Sequence, residues 1–107
     1  MKRTHEFLTV LDDVMLRYFR DIADVMVDRF GISRAEAVAR INDAYEGSEI
    51  DPYPDLMCHE EPEYWAYGLY FQARNGMVPH GGDAVDLAQY EKKPTPPKTS
   101  HVWTLAE

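Results

Sequence analysis

The feature that most restricts the fold of this chain is a run of apolar residues spaced by three and four between Thr4 and Phe30. This spacing places side chains on one face of an α-helix, and the Asp and Arg residues between them predict that another face lies in water. The apolar positions are Phe7, Leu8, Leu11, Val14, Met15, Tyr18, Phe19, Ile22, Val25, Met26 and Phe30. A helix over residues 4–30 would be about 40 Å long. We therefore predict a long N-terminal helix, whose length would also suit a homo-oligomer that pairs through it.

A glycine and a capping box separate the first helix from a second one. Gly31 stands where a left-handed residue commonly ends a helix. Ser33 and Glu36 then match a capping box, in which the serine oxygen accepts the N–H of Glu36 and the Glu36 side chain reaches back. Apolar residues at helical spacing continue to Tyr45, and Gly47 supplies the stop. The short connection predicts a helical hairpin or a helix-turn-helix-like corner.

Residues 48–61 contain two prolines and several acids, so we predict a loop. Its apolar residues, Ile50, Tyr53, Leu56 and Met57, are expected to pin it to the core.

Pro62 is expected at the first position of a third helix over 62–74. Proline lacks a backbone N–H, and the N–H at the first position of a helix has no partner within the helix in any case. The alternation of Trp65, Tyr67, Leu69 and Phe71 makes a strand the alternative, since aromatic residues favour strands. The helix is preferred because Pro62 and a glycine bracket the segment and carboxylates cluster at its start.

The remainder of the chain gives weaker signals. Asp83 is placed to cap a short helix up to Tyr90, and the prolines of 94–97 predict an extended spacer before Trp103. The prediction is a mainly α protein: a small helical domain of three main helices over 1–93 and a Pro-rich C-terminal tail over 94–107.

Length and composition fit one intracellular domain. The chain has 107 residues, of which 45% are apolar, and this is enough for a single core. One cysteine allows no internal disulfide and is too few for a cysteine-based metal site. No apolar run approaches the roughly 20 residues that span a bilayer, and no signal-peptide pattern is visible. A cytoplasmic location without membrane contact is expected.

The charge of −8 is concentrated, because no Lys or Arg occurs between Arg40 and Arg74. An acidic face repels phosphate and attracts basic protein surfaces, so a basic protein partner is predicted and nucleic acid is disfavoured. The predicted partner-binding residues are Asp43, Glu46, Glu49, Asp51, Asp55, Glu60, Glu61, Glu63, Tyr64 and Tyr67. Aromatic residues beside charges are frequent in protein interfaces. The alternative is a solvated acidic surface that only maintains solubility.

The segment around His59 superficially resembles a metal-binding helix, since His59, Glu60 and Glu63 follow the pattern His-Glu-x-x-Glu. Ligands four residues apart converge only on a helix, and Pro62 breaks that helix between them. Cys58 beside His59 does not form a thiol–base pair on an extended chain, because neighbouring side chains point in opposite directions. We predict no catalytic residue, no metal ligand and no cofactor.

Two other non-catalytic functions stay open. Residues 30–41 resemble a helix-turn-helix element in which Arg34 and Arg40 would contact DNA, although two arginines beside an acidic segment give weak phosphate affinity. The long first helix and the extended tail would also suit a structural or assembly component.

Two segments, 32–42 and 59–67, resemble those of small uncharacterised bacterial proteins, some of which are immunity-type partners of toxins. The resemblance implies a bacterial or phage origin and a non-catalytic role. It implies no site residues, and it includes neither the first helix nor the Pro-rich tail. Together with the charge pattern, it leads us to expect an acidic inhibitor or immunity-like protein that binds a basic, nucleic-acid-acting partner.

Overall fold

A computed structural model describes residues 6–72 and 90–106, and within these ranges the protein is mainly helical. Its elements are α1 Asp13–Phe30, α2 Arg34–Tyr45, a 3₁₀ helix Leu56–His59 and α3 Pro62–Tyr70. Helix α1 packs against both α2 and α3. The predicted fold of three main helices is confirmed. The short helix expected from Asp83 lies outside the described residues, as do residues 73–74 of the third one.

Helix α1 begins later than its apolar pattern predicted. Asp12 has extended backbone angles, and its carboxylate accepts the N–H of Met15 at 2.7 Å, which makes it the N-cap. Phe7 and Leu11 are nevertheless buried, because they reach the core from the irregular segment before the helix. The helix prediction was therefore wrong over residues 6–12.

The break between α1 and α2 has the predicted glycine and serine caps. Gly31 adopts a left-handed conformation with φ 68°, and its N–H donates to the carbonyl of Val27 at 3.1 Å. Ser33 Oγ accepts the N–H of Glu36 at 3.0 Å. The Glu36 carboxylate accepts from Nε of Arg40, one turn further on, at 2.9 Å. Both predicted helix boundaries at this corner are confirmed.

Helix α3 begins at Pro62 as predicted and ends at Tyr70, so helix is the correct alternative there. Phe71 instead forms an isolated antiparallel bridge with Lys92. The N–H of Gln72 donates to the carbonyl of Glu91 at 2.8 Å. The prediction of helix was thus wrong for residues 71 and 72, which pair with a segment that follows much later in the chain.

Aromatic rings fill the interior between the helices. Phe19 of α1 is fully buried and meets Phe7 edge to face with ring centroids 5.6 Å apart. Phe30, at the end of α1, stacks on Tyr70 at 4.3 Å and meets Tyr67 edge to face at 5.1 Å. These contacts join α3 to the C-terminal end of α1. They contribute packing energy beyond simple burial of apolar area.

The Pro-rich tail is docked on α2. The side chain of Asn42, which is 1% exposed, donates to the carbonyls of Glu6 and Val102, both at 3.0 Å, and accepts the N–H of Leu8 at 3.0 Å. The Thr104 hydroxyl also donates to the carbonyl of Glu6, at 2.6 Å. Residues at both ends of the described chain therefore meet at one buried amide.

Candidate acidic binding surface

The predicted partner-binding acids mostly lie on the surface. The exposed members of the set are Asp43, Glu46, Glu49, Asp51, Glu60 and Glu61, whereas Asp55 and Glu63 are half-buried. Within the described part of the chain, ion-pair partners are seen for two of them: Glu46 contacts His101, and Glu63 lies 3.9 Å from Arg29. Most of this negative charge is therefore open to an external partner.

The two predicted aromatic members differ in position. Tyr64 is 40% exposed and packs edge to face on Trp65. Tyr67 is only 5% exposed, its hydroxyl accepts from Arg29 at 3.1 Å, and its ring packs on Phe30. Burial in the core between α1 and α3 removes Tyr67 from any surface, so we leave it out of the binding site.

Carboxylates fix the shape of the loop before the 3₁₀ helix. Asp55 accepts the N–H groups of Asp51 at 2.8 Å and Met57 at 2.9 Å, and so closes a turn on itself. Asp12, besides capping α1, accepts the N–H of Tyr53 at 2.7 Å. The loop is therefore tied to the first turn of α1. Side chains of Asx type commonly stabilise turns in this way.

Two aromatic side chains hold the 3₁₀ helix from the other side. The hydroxyl of Tyr18 lies 2.9 Å from the carbonyl of Met57 and 2.6 Å from that of Glu60. Burial raises the pKa of Tyr18 well above its usual value, so the phenol stays a donor. Trp65 Nε1 also donates to the carbonyl of Met57, at 2.9 Å. The loop of residues 48–61, which we call the acidic loop, is thus fixed to both α1 and α3.

Two apolar side chains of this loop are exposed, although all four were expected to pack against the core. Ile50 and Met57 are buried at 8% and 7% exposure, as predicted. Tyr53 and Leu56, however, are 54% and 78% exposed. The loop is held by backbone hydrogen bonds to Asp12, Asp55 and Tyr18, and these leave the two side chains free to face water.

Cys58 and His59 do not form a common site with the neighbouring acids. Cys58 Sγ lies 3.5 Å from the sulfur of Met15, and burial together with the charge of Asp55 raises the pKa of the thiol. His59 is exposed at the end of the 3₁₀ helix. Over residues 6–72 and 90–106, no group of three or more His, Cys, Asp or Glu side chains is placed to hold a metal ion.

The two arginines of the helix-turn-helix alternative make contacts within the protein. Arg34 pairs with Glu6 and with Asp24, both at 3.0 Å. Arg40 is 4% exposed and bonds Glu36. A buried guanidinium is not available to a phosphate, and Arg34 would have to give up two carboxylates to reach one.

The Glu6 carboxylate is buried between Arg20 and Arg34, and this makes stability depend on pH. Burial raises its pKa, but the hydrogen bonds and charges of the two arginines outweigh this effect and lower the pKa below 4.5. A lowered folded-state pKa stabilises the protein above the unfolded value, and that contribution is lost as the pH falls through the folded value. We expect the stability difference between the wild type and Glu6→Gln to be constant near neutral pH and to shrink as the pH is lowered through and below 4.5.

Urea unfolding across this pH range measures that difference. Glu49→Gln is the matched control, because it makes the same chemical change at an exposed side chain. A wild-type advantage over Glu6→Gln that stays constant at all pH values would contradict the assigned ion pairs.

None of the helices in the described ranges is both long enough and apolar enough to cross a bilayer. Comparison with protein-family models, with curated proteins and with solved structures gives no match to this chain.

Proposed function

We propose that this protein is a non-catalytic, acidic protein-binding module of the inhibitor or immunity type, which acts on a basic partner protein in the cytoplasm. The observation that carries the proposal is the exposure of most carboxylates between Asp43 and Glu61, in a stretch without Lys or Arg. A surface of uniformly negative charge attracts a positively charged protein and raises the rate of association.

Rigidity of the acidic loop supports the proposal. The carboxylates of Asp12 and Asp55 accept backbone N–H groups of the loop, and Tyr18 and Trp65 donate to its carbonyls. These bonds fix the backbone, so a partner would not have to order it on binding. Preorganised surfaces lose less entropy on association. A nucleic-acid-acting partner fits this chemistry, because such proteins carry cationic surfaces for phosphate groups that an acidic surface can occupy.

A DNA-binding regulator receives less support. Its proposed contact residues, Arg34 and Arg40, are paired with carboxylates of the protein itself. The bacterial or phage origin expected from the sequence is retained as part of the proposal.

The test begins with capture of a partner from the native host, its identification by mass spectrometry and measurement of its affinity in purified form. Asp51→Lys/Glu60→Lys is expected to weaken binding at least tenfold at low salt, chiefly through a slower association rate. The control is Asp21→Lys/Asp28→Lys, which makes the same change in net charge on exposed positions of α1. Equal affinities of the two double variants would show that the acidic loop is not the binding surface.

A further inference from the structure

Three exposed apolar side chains lie on two elements that are joined at the N-terminal end of α1. Val14 is 43% exposed in the first turn of the helix, and Tyr53 and Leu56 lie on the adjoining loop at 54% and 78%. Asp12 joins the two elements, because its carboxylate accepts the N–H groups of Met15 and Tyr53, both at 2.7 Å. We call Val14, Tyr53 and Leu56 the apolar patch. Scattered exposed apolar residues are ordinary, but a fixed group of them commonly marks an interaction site.

The backbone beneath the patch is held in place. Asp55 caps the 3₁₀ helix that begins at Leu56 and also accepts the N–H of Asp51. Tyr53 is tied to Asp12 through its own N–H. Leu56 is therefore presented outward by a closed turn, and its exposure follows from the hydrogen bonds on either side of it.

Carboxylates lie on the same two elements as the patch. Asp12 and Asp13 lie at the start of α1, and Asp51 and Asp55 lie in the same turn as Tyr53. The hydrogen bonds from the N–H groups of Met15 and Tyr53 lower the pKa of Asp12 and so favour its ionised form. We call these four carboxylates the acidic rim. Apolar side chains next to an acidic rim are complementary to an apolar side chain flanked by Lys or Arg.

We propose that the apolar patch is the anchor point for a cationic, amphipathic segment of the partner protein, whose apolar side chain packs against Leu56 and Tyr53 while its basic residues meet the acidic rim. This inference rests on the proposed function and names the chemistry of the partner at that surface. A second copy of the chain fits less well, because it would bring the same acidic rim and a net charge of −8 to the contact.

Two synthetic helical peptides serve as probes. One has Lys residues on one face and Leu on the other, and the second has Ser in place of every Leu, so that only the apolar contribution differs. Calorimetric titration at low salt is expected to show that Leu56→Ser weakens the Lys/Leu peptide roughly tenfold and leaves the Lys/Ser peptide unchanged. Val14→Ser should weaken the Lys/Leu peptide as well.

Val27→Ser is the matched control for Val14→Ser. Val27 is 36% exposed on the same helix, and 13 residues further along α1 it lies about 20 Å from the patch. We expect Val27→Ser to bind both peptides like the wild type. All these positions are exposed, so the variants should keep the wild-type circular dichroism spectrum and melting temperature.

The outcomes separate this inference from the proposed function. If Leu56→Ser and Val14→Ser bind the Lys/Leu peptide as the wild type does while Asp51→Lys/Glu60→Lys weakens it, the patch is not an anchor and the acidic surface stands. If neither class of variant changes binding, both proposals fail. A dimer in light scattering that Leu56→Ser abolishes would overturn the inference in favour of self-association.

Discussion

Asn42→Ala is expected to destabilise the protein by about 3 kcal/mol. The substitution removes the side-chain partners of the Leu8 N–H and of the Val102 carbonyl in a site that is 1% exposed. The Glu6 carbonyl still accepts the hydroxyl of Thr104, so the loss of its hydrogen bond from Asn42 costs less. Against a typical total of roughly 5 to 15 kcal/mol, this is a large fraction of the free energy of unfolding. Urea unfolding at neutral pH measures it.

The next residue provides the control for Asn42. Asp43→Ala changes a polar side chain to the same alanine on the same helix, but at an exposed position, and should cost less than about 0.5 kcal/mol. Similar unfolding midpoints for the two variants would mean that the buried amide does not hold the N-terminal segment and the tail together.

Arg40→Ala is expected to cost about 3 to 5 kcal/mol, because it leaves a largely buried carboxylate without its counter-charge. Arg40 pairs with Glu36 at 2.9 Å, lies over the ring of Tyr70 at 4.8 Å, and donates to the Lys93 carbonyl at 3.1 Å and to Thr95 Oγ1 at 3.2 Å. Its loss should therefore both destabilise α2 and release the beginning of the tail. Thermal unfolding reports the first effect, and the rate of tryptic cleavage after Lys98 reports the second.

Two further variants define the role of Arg40. Arg17→Ala makes the same change in net charge at an exposed position of α1 and should leave both measurements near wild type. Arg40→Lys should recover only part of the stability, because an ammonium group cannot reproduce the three hydrogen bonds that the planar guanidinium donates to Glu36, Lys93 and Thr95. A fully stable Arg40→Lys variant would show that charge alone, rather than the geometry of the guanidinium, holds the tail.

Local signals in the sequence predicted the helix boundaries correctly where the cause was itself local. Gly31, Ser33 and Pro62 act through their own backbone or the next turn, so their effect could be predicted from the sequence. The start of α1 was missed because Phe7 and Leu11 continue the helical spacing although they pack from an irregular segment. Periodicity reports which residues are buried, and it does not report the backbone that buries them.

In the candidate site, too, features with a local cause could be predicted from the sequence and features that depend on distant contacts could not. The exposure of most acids followed from their charge, since ionised carboxylates are costly to bury. The burial of Tyr67 and the exposure of Leu56 depend on contacts with α1, which is distant in sequence. Asn42 had no distinguishing local signal either, because its partners lie 34 to 60 residues away.

The meeting of Glu6, Asn42 and Thr104 also sets an order of events during synthesis. The hydroxyl of Thr104 bonds a carbonyl 98 residues earlier, and the amide of Asn42 bonds Val102, 60 residues later. The N-terminal segment and α2 cannot complete their polar contacts until the segment with Val102 and Thr104 has left the ribosome. Contacts of such long sequence separation slow folding. Until then the Asn42 amide lacks the Val102 carbonyl and the Glu6 carbonyl lacks the Thr104 hydroxyl, so the buried polar site between the N-terminal segment and α2 is incomplete.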